Sequence, residues 1–259
     1  MQRALILAAL VAAPITARST PSGSPGPGRV GERVDRVEFT TSDRLKLAGT
    51  FYQPKDDRAP GAVLVHDAGG NRTQLDAIAG RLQRLGFAVL TFDVRGHGES
   101  KSSKADWNQL DEKGRKTLWA QGVRDVRAAS EWVLKQKSVH STKLSLLGYG
   151  SGCALVARHA KEDENVVSLT LLSPKPSDLG FDVRGDIEYL IGLPTYVVAA
   201  RNNHTEAMVE EANKLAGGNP YIELFLAKPK ATDVLDDHKV PAKVTGWMSD
   251  VVRPKRGRP

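Results

Sequence analysis

The sequence predicts an α/β architecture: a mostly parallel sheet of eight strands with helices on both faces. Two observations carry this. Short runs rich in β-branched and aromatic residues alternate with runs whose apolar residues recur at helical spacing, the pattern of parallel strands joined by crossover helices. The chain is also long enough, at 259 residues with 40% hydrophobic content, to bury the core of such a sheet in one domain.

Residues 1–17, MQRALILAALVAAPITA, carry one basic residue (Arg3), an apolar run from Ala4 to Ala13, then Pro14 and a small-residue end at Ala17. That is the layout of a secretory signal, and the run is too short to span a bilayer as a helix; a buried N-terminal helix is the alternative. Export to a periplasm or out of the cell is therefore expected, with no integral membrane segment left once the signal is removed. Residues 18–33 are rich in Pro, Gly and Ser and cannot continue a helix, so they read as a linker. The folded domain is expected over 34–252, with a basic tail at 253–259.

Within the domain, VDRVEFTT (34–41) and LKLAGTFYQ (45–53) bracket Ser-Asp-Arg and read as an antiparallel hairpin. A buried strand GAVLVH (61–66) precedes an amphipathic helix near Gln74 to Leu85, and the strand FAVLTFD (87–93) follows. One long helix is expected around Lys116 to Lys135, because Leu118, Val123, Val126, Ala129 and Val133 share a helical period. Then come KLSLLG (143–148), a helix over Ser151 to Ala160, and the strands VVSLTLLS (166–173) and PTYVVAAR (194–201). A helix around Glu206 to Leu215, the strand YIELFLA (221–227) and a closing helix from Pro241 to Val252 complete the chain; Pro241 suits a first helical turn.

The net charge of +7 falls by one when the signal and its Arg3 are removed, and much of the excess lies in the tail VVRPKRGRP. A tail of this kind can bind anionic polymers or lipid, but no aromatic residue interleaves it, so a solvated tail is the expectation and no nucleic-acid partner is assigned. The single cysteine, Cys153, cannot form a disulfide within the chain and falls on an apolar helix face. His66, His97, His140, His159, His204 and His238 show no ligand spacing with cysteines or carboxylates, so neither a metal nor another cofactor is expected.

Four segments carry a family resemblance. VLVHDAGGN (63–71), FDVRGHGES (92–100), LLGYGSGCA (146–154) and LLSP (171–174) follow their strands in the order found in the α/β-hydrolase superfamily, and they resemble its dienelactone-hydrolase-like and esterase-like members. The resemblance implies the α/β-hydrolase fold over residues 34–252, with little or no lid domain. It also implies that backbone N–H groups of the His66-Asp67-Ala68 segment and of Ser151 line an oxyanion hole beside Tyr149. Asp93, Arg95 and His97 belong to a turn that is structural in the family. Asp67 stands where the family has a small residue, and a carboxylate there opposes the negative charge of an acyl-transfer transition state.

A hydrolase of this fold needs Ser, then Asp or Glu, then His, with the serine at the centre of Gly-x-Ser-x-Gly. Here Gly148-Tyr149-Gly150-Ser151-Gly152 has both outer glycines and Gly150 at the centre. The position of the acid reads Asn203, beside Asn202, and that of the histidine reads Lys230, followed by Ala231, Thr232 and Asp233. Glycine has no atom that attacks, an amide brings no charge, and a lysine of ordinary pKa is protonated near neutrality. Three rescues exist: Ser151 as nucleophile, His238 as base, or a Ser151–Lys230 pair. The reading that results is an exported, catalytically inactive protein that acts as a ligand-binding or interaction protein, its former crevice suited to a small polar or anionic ligand. The alternative is a serine hydrolase, cleaving carboxylic esters or peptides through Ser151.

Overall fold

The computed structural model describes residues 32–253 apart from 104, 191, 201–206, 208–209, 211–221 and 228–232. The predicted signal, most of the linker, Asn202, Asn203, all but residues 207 and 210 of the helix expected at 206–215, Lys230, Ala231, Thr232 and the tail beyond Arg253 lie outside these residues.

Strands β1 (Val34–Thr40) and β2 (Lys46–Tyr52) form the predicted hairpin, antiparallel and in register from Val34 opposite Tyr52 to Thr40 opposite Lys46. They edge a sheet completed by β3 (Ala59–Val65), β4 (Ala88–Phe92), β5 (Val139–Tyr149), β6 (Val166–Leu172), β9 (Thr195–Ala200) and β10 (Ile222–Ala227). The order is β1-β2-β4-β3-β5-β6-β9-β10, and every pair from β4 onward is parallel. Every residue of β3 and β4 is buried, as strands covered on both faces must be.

Successive side chains of a strand point to opposite faces, which divides the core in two. Ala62 and Leu64 of β3 pack with Ile78 and Leu82 of α1 (Asp76–Arg84) and with Val244 and Met248 of the closing helix α6 (Val240–Val252). Val63 and Val65 face Val126, Ala129 and Val133 of α3 (Gly122–Leu134) and Leu155 of α4 (Gly152–Ala160). Pro241 lies in the first turn of α6, where its missing N–H costs nothing.

The single long helix expected over 116–135 is two helices, α2 (Glu112–Ala120) and α3, separated at Gln121. The reason is tertiary: α3 begins pressed against α4, so close that a Cβ on Gly122 would lie 2.8 Å from Leu155 Cδ1. Between β6 and β9 the chain forms a two-residue hairpin, β7 (Ser177–Asp178) with β8 (Phe181–Asp182), and the short helix α5 (Val183–Glu188). Neither was expected, and neither amounts to a lid domain. Among the described residues no helix is long and apolar enough to cross a membrane.

Candidate functional site

The site lies where β3 and β5 end. Parallel pairing sets Val65 opposite Gly148, so the chain emerging from β3 at His66 and Asp67 runs beside the turn Tyr149-Gly150-Ser151 that leads into α4. Gly150 has φ +55°, a left-handed conformation that side chains disfavour and that a sharp strand-to-helix turn demands. Its N–H donates to the Leu172 carbonyl of β6 at 2.9 Å. The flanking glycines are tied by contact: a Cβ would stand 2.6 Å from backbone atoms of Cys153 at Gly148 and from the His66 carbonyl oxygen at Gly152.

Asp67 decides the character of this turn. Its Oδ1 accepts from the Ala68 N–H at 2.8 Å and from the Ser151 N–H at 2.7 Å. These are the donors expected to bind a developing oxyanion, and the chain's own carboxylate takes both. The same carboxylate fills the space above Gly150, where a Cβ would lie 2.3 Å from Asp67 Oδ1. The sequence put a carboxylate near these two N–H groups; the structure has it hydrogen-bonded to both.

Ser151 is buried at 3% exposure, and its carbonyl accepts from the indole Nε1 of Trp119 at 3.4 Å. His238 is exposed and sits 3.9 Å from its neighbour Asp237; among the described residues no hydrogen bond joins it to Ser151. Tyr149 donates its hydroxyl to Asp233, and burial and this carboxylate push its pKa upward. Asp233 also caps the turn before α6 by accepting from the Leu235 N–H at 2.9 Å.

The two histidines near the turn are structural supports. His66 Nε2 accepts from the Val94 N–H at 3.0 Å, so its Nδ1 carries the proton and donates to the Asp67 carbonyl at 2.7 Å. Burial pushes its pKa down to about 4, which keeps the ring neutral. His97 is wired alike: Nε2 accepts from the Gly69 N–H and Nδ1 donates to the Arg95 carbonyl, each at 3.0 Å. Arg95 meets Asp125 of α3 and Asp43, while Asp93 takes the Arg72 guanidinium and the backbone N–H groups of Arg72 and Glu99.

A Ser, a His and an Asp meet elsewhere, at the far end of α4. His159 Nε2 lies 3.1 Å from Ser130 Oγ and 3.3 Å from Asp163 Oδ2. A proton relay needs the hydroxyl and the carboxylate on opposite ring nitrogens, so this buried cluster is a packing arrangement. Cys153 is fully buried beside the Gly148 and Leu172 carbonyls, and burial drives its thiol pKa up. Among the described residues no group of three or more His, Cys, Asp or Glu side chains is placed to hold a metal ion.

Sequence reasoning missed the Tyr149–Asp233 and Trp119–Ser151 contacts, because nothing in local spacing connects residues so far apart. The meeting of Asp67 with Gly150 was more accessible. A carboxylate at 67 and the absence of a side chain at 150 are complementary in space.

Residues 47–173 match the model of the Dienelactone hydrolase family. An uncharacterized 31.7 kDa protein from the traX-finO intergenic region of Escherichia coli is 30% identical over 122 residues, which is 46% of this chain and 39% of that protein. The chain thus spans about two fifths of the length of that relative. Among solved structures, an esterase of Pyrococcus furiosus, Pf2001, superposes with a TM-score of 0.68 at 19% identity, covering 89% of this chain and 97% of its own. A dienelactone hydrolase from Anabaena variabilis gives 0.65 at 17% identity, covering 85% and 96%. With its strand order, its strand-to-helix turn after β5 and these structural neighbours, the chain has the α/β-hydrolase fold, and its likeness to the Dienelactone hydrolase family is carried by residues 47–173.

Proposed function

We propose that this protein is an exported member of the superfamily that has lost acyl-transfer chemistry and acts as a ligand-binding or interaction protein. One observation carries the reading. Gly150 brings no nucleophile to the turn, and Asp67 occupies both the space a nucleophile would need and the N–H donors its transition state would use. A carbonyl substrate entering this site meets a negative charge where negative charge must develop. Asn203 and Lys230, at the positions of acid and base, point the same way by sequence.

The ligand belongs in the crevice at the carboxyl ends of the strands, where an open sheet of this kind binds its ligands. It is a small polar molecule held without help from the Ala68 and Ser151 N–H groups. Export rests on the composition of residues 1–17.

A single experiment addresses silence and export together. The full chain is expressed in a bacterium, recovered from the cell envelope or medium, treated with a fluorophosphonate and weighed intact beside Ser151→Ala. We expect a chain processed after Ala17 and carrying no adduct. A stoichiometric adduct absent from Ser151→Ala makes Ser151 a nucleophile and the protein a serine hydrolase; an unprocessed chain held in the cytoplasm ends the export reading.

A further inference from the structure

The site holds one feature that reaches further, and it deepens the reading of a silent crevice by naming what fills it. Two backbone donors, from the loop after β3 and from the start of α4, come together although they are 83 residues apart in sequence. They meet one carboxylate oxygen at 2.8 and 2.7 Å, the lengths of charge-assisted hydrogen bonds. The Ser151 N–H also opens a nine-residue helix, whose N-terminal dipole favours an anion at this point. Both donors are held by elements that do not depend on Asp67: the β3–β5 register and the Gly150 N–H to Leu172 hydrogen bond.

We propose that the Ala68 and Ser151 N–H groups form a carboxylate-binding site that this chain keeps filled in cis with Asp67, and that removing this side chain creates a site for a free small carboxylate. The chemistry fixes the size of the ion. Asp67→Gly deletes a CH2–COO− group, the same heavy atoms as acetate. Asp67→Ala leaves the methylene behind and makes room for formate. The tether gives Asp67 a high effective concentration, so the natural protein takes no carboxylate here.

The test is thermal unfolding of the wild type, Asp67→Gly, Asp67→Ala and Asp67→Asn in sodium acetate, sodium formate and sodium chloride at equal ionic strength and neutral pH. Asp67→Gly should gain a saturable rise in Tm with acetate, about 3–6 °C at ten times the Kd. Asp67→Ala should respond to formate above acetate. The wild type and Asp67→Asn, whose amide oxygen still meets both N–H groups, should behave alike in all three salts. Folded Gly and Ala variants with no carboxylate response beyond chloride overturn the proposal, as does an equal response in the wild type.

If neither variant folds, the amide protons of Ala68 and Ser151 decide. Both should move upfield together from the wild type to Asp67→Asn, as a charged acceptor becomes neutral, and two unmoved resonances overturn the proposal. Fluorophosphonate labelling reads the chemistry of Ser151 and the salt titration reads the donors, so either reading can fail alone.

Discussion

Asp67 and Gly150 share one volume. A side chain at 150 collides with the Asp67 carboxylate at 2.3 Å and also has to adopt φ +55°. The left-handed conformation alone costs a non-glycine residue about 1–2 kcal/mol, and displacing a doubly hydrogen-bonded carboxylate adds to it. Gly150→Ser is therefore expected to destabilise the wild type by about 2–4 kcal/mol in urea unfolding. In an Asp67→Gly background the overlap is gone, and the same substitution should cost less by about 1 kcal/mol or more, the size of coupling that touching residues show. Equal costs in the two backgrounds would mean that the two positions do not interact. A practical consequence is that a serine cannot be accommodated at this turn by changing position 150 alone.

At the scale of elements, the loops that carry the site are held by buried ion pairs. Arg95, in the turn after β4, donates to Asp125 of α3 at 2.6 and 2.9 Å through its guanidinium and at 2.9 Å through its backbone N–H. Both side chains are almost wholly buried. Asp125→Ala would leave a buried guanidinium with only Asp43 and Gln121 as partners, and removing one member of a buried pair costs about 3–5 kcal/mol. Chemical denaturation should show this loss, whereas Asp111→Ala, at the exposed cap of α2, should cost about 1 kcal/mol. Much at this scale was legible in advance. The opening hairpin, the buried strands and the start of α6, with Pro241 in its first turn, follow from alternation, apolar runs and a fixed φ. The break at Gln121 was not legible, since Leu118, Val123, Val126, Ala129 and Val133 keep one period across it and only the contact with α4 divides them. β7 and β8 are two residues each, too short to have a period at all.

At the scale of the whole molecule, the histidines that brace the site make stability depend on acidity. His66 falls from its ordinary 6.5 to about 4 in the folded chain because burial disfavours the cation, and burial lowers His97 in the same direction. Between these two values the unfolded chain binds a proton at His66 that the folded chain refuses. Stability should therefore be full above pH 6.5, fall as pH drops, and stop falling on this account below pH 4; the loss from His66 is about 3 kcal/mol. Urea unfolding followed from pH 7.5 to 4 should show the decline, and His66→Gln should flatten it. An unchanged slope in that variant would assign the acid sensitivity to other groups.

What the sequence determined by itself was the architecture and which residue stands at each turn. Periodicity, apolar runs and turn residues are local properties, and the mostly parallel eight-stranded sheet follows from them; the absence of a side chain at Gly150 is read directly. What only the tertiary structure decided was the meaning of Asp67. Its carboxylate bonds the N–H of the next residue, Ala68, and also reaches the Ser151 N–H because parallel pairing sets Val65 of β3 against Gly148 of β5. No rule of spacing encodes that distance. It is set by the 4.8 Å or so between neighbouring strands, which brings together two turns that the chain keeps more than eighty residues apart.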